Sequence, residues 1–178
     1  MVPHKRLNRE LVHQGRIISL YRDTIEVNND KITHFDYIHH NGAAAMIPVD
    51  EDGKIYMVRQ YRNAVDQYTL EIPAGGLNIG EDPRECAIRE CEEETGHKAG
   101  EVYHLLDLYT TVAFCNEKIG IYYTTGLTPS IQNLDDDEFV TVEKYSLGEL
   151  TLMVLNGQIV DAKTIAGLMA YKAKIESK

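Results

Sequence analysis

The chain has 178 residues, enough for one domain with a small extension, and its 43% apolar and 26% charged residues match a folded core with a solvated surface. Lys and Arg number 18 against 28 Asp and Glu, a formal charge of −10. That argues against non-specific nucleic-acid binding, which needs a cationic face to replace phosphate counterions, and against a polybasic membrane contact.

In chain order, Met1–Glu10 is polar and lacks the apolar stretch of a signal peptide. Residues 11–40 are strand-rich: Gly15–Tyr21 and Asp23–Val27 are β-prone runs, Asn28, Asn29 and Asp30 form a turn cluster, and Lys31–His39 suits a half-exposed strand. Ala43–Val49 suits a buried strand. Asp50–Gly53 turns it back as a hairpin, with Asp52 and Gly53 suited to positive φ, into Ile55–Val58 and Arg59–Arg62. Tyr68–Ile72 is another short strand, and Pro73–Gly76 breaks it into a loop. Arg84–Thr95 is expected to be a helix, with Asp82 as N-cap, Pro83 at its first position and Gly96 as C-cap.

Val102–Thr111 and Ile119–Thr125 are strand candidates, Pro129–Glu138 is a polar loop, and Phe139–Tyr145 is a final strand. Leu147–Asn156 reads as a helix ended by Gly157, and Asp161 caps a last helix to about Ile175. Ile165, Leu168 and Met169 form a core stripe on it. No run approaches the roughly 20 apolar residues that a membrane helix needs. The three cysteines, Cys86, Cys91 and Cys115, have no CxxC spacing, so free thiols and a cytoplasmic setting are expected rather than a disulfide framework or a zinc site.

The chemistry concentrates between Gly75 and His97. On a helix, Glu90, Glu93 and Glu94 share one face, where like charges at this spacing cost a few tenths of a kcal/mol per pair. The bland reading is a solvated acidic face. The functional one is a seat for a hard divalent cation, which takes carboxylate oxygens and shares them with substrate phosphates. Ala87, Ile88 and Cys91 form the opposite, packing side.

Gly75, Glu81, Arg89, Glu90, Glu93, Glu94 and Gly96 stand at the spacing G-x5-E-x7-R-E-U-x-E-E-x-G-U, which resembles the signature of the Nudix hydrolases, U being a bulky aliphatic residue. Cys91 and His97 occupy the two U positions and are expected to alter local packing more than chemistry. Residues 15–49, 58–62, 71–75 and 161–164 are similar to bacterial ADP-ribose pyrophosphatases. The resemblance implies an α/β (α+β) fold: a Nudix α/β/α sandwich with a mixed sheet over residues 41–178, and a small antiparallel β-extension over residues 1–40. It also implies a homodimer in which the extension is swapped.

The activity the resemblance implies is Mg2+- or Mn2+-dependent hydrolysis of a nucleoside diphosphate sugar, with two to three ions bound alongside substrate. It assigns Glu90, Glu93, Glu94 and the Ala74 carbonyl to the metal. Arg89 would position the carboxylates, with Glu81 paired to it from the preceding loop. The catalytic base would be Glu138, with Asp137 or Asp136 as the alternative in that acidic run. Arg62, Glu71 and Glu117 would contact substrate, and Tyr61 and Phe35 are candidates for stacking on adenine, with core packing as the competing role.

One departure bears on specificity: relatives that act on ADP-ribose carry Ser-Pro-Gly where this chain has Thr111, Val112 and Ala113, and valine does not fix φ as proline does. Other substrates remain open, among them dinucleotides and other nucleoside diphosphate derivatives, as does a non-catalytic ADP-ribose sensor. The charge itself is local. Residues 81–94 hold seven acids and two bases and residues 135–138 four acids, so nine of the ten net negative charges lie in two short segments.

Overall fold

A computed structural model describes residues 4–28, 31–134 and 138–177. These fall into two units: residues up to Gly42 with Tyr109–Lys118, and Ala43–Leu108 with the chain from Ile119 onward. Asn29 and Asp30 of the expected turn, and Asp135, Asp136 and Asp137 of the acidic run, lie outside the described residues.

The first unit is built on an antiparallel sheet of β1 (His4–Gln14), β2 (Ser19–Val27) and β3 (Lys31–His39), with β2 central. β1 is absent from the sequence reading because its 11 residues carry no apolar alternation, and all but Arg9 are exposed. A cross-strand clasp supplies its anchor. Arg9 donates from Nε and Nη2 to Asp23, both at 2.6 Å, and its guanidinium lies 3.7 Å from the Tyr37 ring centroid. The Arg9 hydrogen bond holds the buried Asp23 carboxyl below its ordinary range. The Gly15–Tyr21 run opens as a turn rather than a strand, with Gly15 N donating to Ile18 O at 2.8 Å. Tyr109–Lys118 joins β3 through Ile38 N to Phe114 O at 2.7 Å and His40 N to Asn116 Oδ1 at 2.8 Å.

The second unit runs β4 (Ala43–Pro48), β5 (Lys54–Arg62), β6 (Gln67–Glu71), β7 (Ala74–Gly76), α1 (Pro83–Thr95), β8 (His97–Lys98), β9 (Glu101–Tyr109), β10 (Lys118–Thr125), β11 (Thr128–Pro129), β12 (Val140–Ser146), α2 (Leu147–Leu155) and α3 (Ala162–Glu176). One sheet has the order β7-β4-β10-β9, with β4 and β10 parallel and β4 and β7 antiparallel. A second has the order β12-β5-β6, and β11 pairs with β8.

β4 is an apolar run because both of its faces are covered. Its alternate side chains divide two cores. Ala44 and Met46 meet Cys86, Ala87 and Cys91 of α1, while Ala45 and Ile47 belong with Met57, Leu70, Leu150 and Leu168. Helices therefore cover both faces, the layered α/β/α arrangement. Ile165 and Met169 pack beside Leu168, as their stripe suggests. No helix among the described residues is long and apolar enough to cross a membrane.

β7 replaces part of the loop expected at Pro73–Gly76. Ala and Gly are poor strand formers, so propensity gives no signal there. Pairing with β4 (Ala43 with Gly76, Ala45 with Ala74) makes the strand and lays its backbone beside α1.

Candidate active site

α1 begins and ends as its sequence predicts. Asp82 Oδ1 accepts from Arg84 N at 2.8 Å, Pro83 is the first helical residue, and Gly96 takes the left-handed conformation at φ 69°. Its acidic residues do not form one solvated face. Glu90 and Glu94 are 8% and 2% exposed and lie on the packed side with Cys86, Ala87 and Cys91.

Glu94 Oε2 accepts from Ala74 N at 3.0 Å. Gly75 leaves room beside it: a Cβ at this position would stand 2.0 Å from Glu90 Oε1, so the Glu90 carboxylate would have to move. Burial, reinforced by the charges of Glu90 and Glu138, pushes the Glu94 carboxyl up to about 8. Burial also raises Glu90, with Glu93 and Glu138 adding to the effect. The structure therefore brings Glu90, Glu93, Glu94 and Glu138 into one electrostatic neighbourhood.

Arg89 holds much of this crowd together. Its Nη1 donates to Glu90 Oε1 at 2.6 Å and to Glu93 Oε2 at 2.8 Å. Its Nε and Nη2 reach the two oxygens of Glu81 at 2.9 and 3.1 Å. These bonds raise Arg89, and they help depress Glu81 to about 2, with Asn78 N also donating to Glu81. Segment 130–133 satisfies carbonyls at the C-terminal end of α1. Ser130 N donates to Gly96 O at 2.7 Å, Asn133 N to Glu93 O at 2.9 Å and Gln132 Nε2 to Glu94 O at 2.7 Å. That segment leads into the acidic run containing Glu138.

A second cluster joins β5, β6 and α3. Arg62 donates to Glu71 from Nε at 2.8 Å and from Nη2 at 2.7 Å, and Thr69 Oγ1 donates to Glu71 Oε1 at 2.6 Å. Lys163 also bonds Glu71, at the Oε2 that Arg62 Nη2 reaches, and it reaches Asp161 Oδ2 at 3.0 Å. Glu71 is buried, and Arg62 and Lys163 outweigh that burial to hold its carboxyl at about 2. Sequence spacing does not mark Lys163 or Thr69 as site residues. The available signal is a lysine two residues past a helix N-cap, where the helix dipole disfavours a cation.

Tyr61 is exposed. Its hydroxyl bonds Asp66, and its ring meets Tyr68 edge-on at 5.4 Å. Phe35 and Glu117 belong to the other unit. There Phe35 lines a cleft of about 440 Å³ with Tyr37, Val112 and Phe114. Glu117 accepts from Thr110 Oγ1 at 2.8 Å and lies 3.6 Å from His40 Nδ1. His97 packs at 4.2 Å on the Tyr56 ring, and Cys91 fills the aliphatic position of the box as a buried thiol.

Among the described residues, no three His, Cys, Asp or Glu side chains close into a ready-made cation cage. Arg89 holds Glu90 and Glu93, and Ala74 N holds Glu94. The donor set nonetheless suits a hard divalent cation: it is all oxygen, largely buried, and its anions are disfavoured by one another.

Residues 39–168 match the NUDIX domain family model, and the chain belongs to the Nudix family. It is a Nudix hydrolase, a class that needs a divalent metal. It is 36% identical over 163 residues to the methanol dehydrogenase activator of Bacillus methanolicus, covering 90% of this chain and 88% of that protein. It is 34% identical over 172 residues to an ADP-ribose pyrophosphatase of Bacillus subtilis, covering 96% and 93%. The crystal structure of an ADP compounds hydrolase shares the fold at a TM-score of 0.88 and 21% identity, covering 98% of this chain and 95% of that one.

The depressed Glu71 carboxyl makes stability depend on pH. A lowered folded-state value stabilises above the ordinary value of 4.5, and that contribution is lost as pH falls toward about 2. Urea unfolding should find Glu71→Gln less stable than wild type at pH 7, with the gap narrowing steadily below pH 4.5. A gap that stays constant down to the acid limit would contradict this origin.

Proposed function

We propose that this chain hydrolyses the pyrophosphate bond of ADP-ribose or a related nucleoside diphosphate sugar, releasing AMP or another nucleoside monophosphate and a sugar phosphate. The observation that carries the reading is the buried pair Glu90 and Glu94, whose anions are disfavoured by burial and by the other carboxylates around them. The complete signature box and the Bacillus subtilis relative named as an ADP-ribose pyrophosphatase support it.

Glu90, Glu93, Glu94 and the Ala74 carbonyl would hold Mg2+ or Mn2+, with two to three ions alongside substrate. The bound cation supplies charge neutralisation at the diphosphate and acidifies the attacking water. Arg89, oriented by Glu81, keeps Glu90 and Glu93 in place. Glu138 accepts the water proton as the oxygen–phosphorus bond forms and the bridging phosphorus–oxygen bond breaks. Asp136 and Asp137, the alternative bases, lie outside the described residues.

Arg62 grips the diphosphate, Glu71 fixes Arg62, and Glu117, Tyr61 and Phe35 serve the rest of the nucleotide. Thr111, Val112 and Ala113, in place of Ser-Pro-Gly, shape the nucleotide pocket differently, so another nucleoside diphosphate sugar or a dinucleotide is the alternative substrate. Residues 1–40 act as a swapped dimerisation extension in a cytoplasmic homodimer, a role that suits the exposed Leu7, Leu11 and Val12.

Incubation with Mg2+ and a panel of nucleotide sugars should convert ADP-ribose to AMP and ribose 5-phosphate, and a chelator should abolish turnover. No cleavage of any pyrophosphate, or full activity under chelation, overturns the reading. Glu138→Gln should lower kcat by roughly 10²–10⁴-fold, and a change within about two-fold would move the base elsewhere in the acidic run.

A further inference from the structure

Lys163 occupies a costly position. It is the second residue of α3, where the helix dipole disfavours a cation. It is also only 9% exposed, so its charge is largely desolvated. Its partners are Glu71 and Asp161. Asp161 Oδ2 is already engaged as the cap of α3, accepting from Thr164 N at 2.9 Å and Thr164 Oγ1 at 2.6 Å. Thr164 Oγ1 in turn accepts from Ile72 N at 3.0 Å, so the start of α3 is pinned to the residue after Glu71.

Glu71 therefore sits between two cations of unequal access. The Arg62 side chain is 40% exposed and that of Lys163 only 10%. With two bonds from Arg62, one from Thr69 and one from Lys163, the Glu71 carboxylate has its acceptor sites filled and cannot swing away. Glu71 is shared by both cations, and Asp161, 3.0 Å from Lys163 and already the cap of α3, is the second anion of Lys163. Arg62 spends Nε and Nη2 on Glu71, and among the described residues no hydrogen bond takes up Nη1, the remaining arm of its fork.

We propose that Lys163 is a positioning residue: by sharing the charge of Glu71 and locking its carboxylate, it keeps the Arg62 guanidinium oriented and electropositive toward the substrate diphosphate. This rests on the reading of Arg62 as the diphosphate-binding residue. Lys163 itself touches no substrate. The competing role is a plain clasp of α3 onto β6, which would alter folding stability without selecting a kinetic constant.

The test is steady-state kinetics with ADP-ribose and Mg2+ on Lys163→Met, Lys163→Gln, Lys163→Arg, Arg62→Met and the Arg62→Met/Lys163→Met double variant, each checked for a cooperative unfolding transition. Lys163→Met should raise KM by about ten-fold with kcat nearly unchanged, the signature of lost substrate binding. Lys163→Gln keeps a hydrogen bond without the charge and should behave alike even if the Met variant folds poorly. Lys163→Arg should restore most of the wild-type KM. In the Arg62→Met background, loss of Lys163 should add little, because its effect travels through Arg62.

An unchanged KM in the Lys163→Gln protein, beside a raised KM in Arg62→Met, overturns the inference and leaves the hydrolase reading intact. A wild-type protein that cleaves no pyrophosphate overturns both.

Discussion

Arg89 lies among three carboxylates, and the chemistry available to α1 depends on that meeting. Glu81, Glu90 and Glu93 all accept from its guanidinium. Without it, acids one helical turn apart would repel, and the buried Glu90 would bear its desolvation with less compensation. With it, Glu90 and Glu93 are tied to one guanidinium on a single helix, and Glu81 joins them from the preceding loop. The arrangement favours a further cation, because Glu94 remains disfavoured as an anion by its burial and by Glu90 and Glu138. The layers behind α1 serve this geometry. Ala44 and Met46 of β4 seat the helix on the sheet, and the β7 backbone closes on Glu90 and Glu94 where Gly75 leaves room.

The Arg62–Glu71–Lys163 cluster is built on a different plan. It joins two strands and a helix through one buried carboxylate that two cations share. Buried ion pairs contribute less to net stability than their Coulomb energy suggests, because desolvation opposes them. The value of this one lies in holding a partly exposed guanidinium in a fixed direction. In the proposed reaction, the α1 set would hold the cation and this set the diphosphate.

How much of this can be read from sequence follows from how local each feature is. α1, its caps and its box residues are legible because one helix fixes their spacing. β4, with its two covered faces, is legible from its apolar run. β1 is not, because its anchor is the Arg9–Asp23 clasp, made 14 residues away across a hairpin. β7 is not, because Ala and Gly pair there only by tertiary placement. Burial of Glu90 and Glu94 inverts the expectation of a separate acidic face, since charge pattern alone cannot tell which acids a neighbouring strand will cover. Lys163 meets Glu71 across 92 residues, a contact that no spacing rule reaches.

Glu90 and Glu94 are proposed as the seat of a divalent cation. The most direct measurement is Mn2+ binding to the substrate-free protein, followed by calorimetry or by the paramagnetic signal of free Mn2+, in wild type, Glu90→Gln and Glu94→Gln. Wild type should bind Mn2+ saturably, and each variant should bind it with an affinity lower by at least about ten-fold. Equal affinity in all three proteins would contradict it.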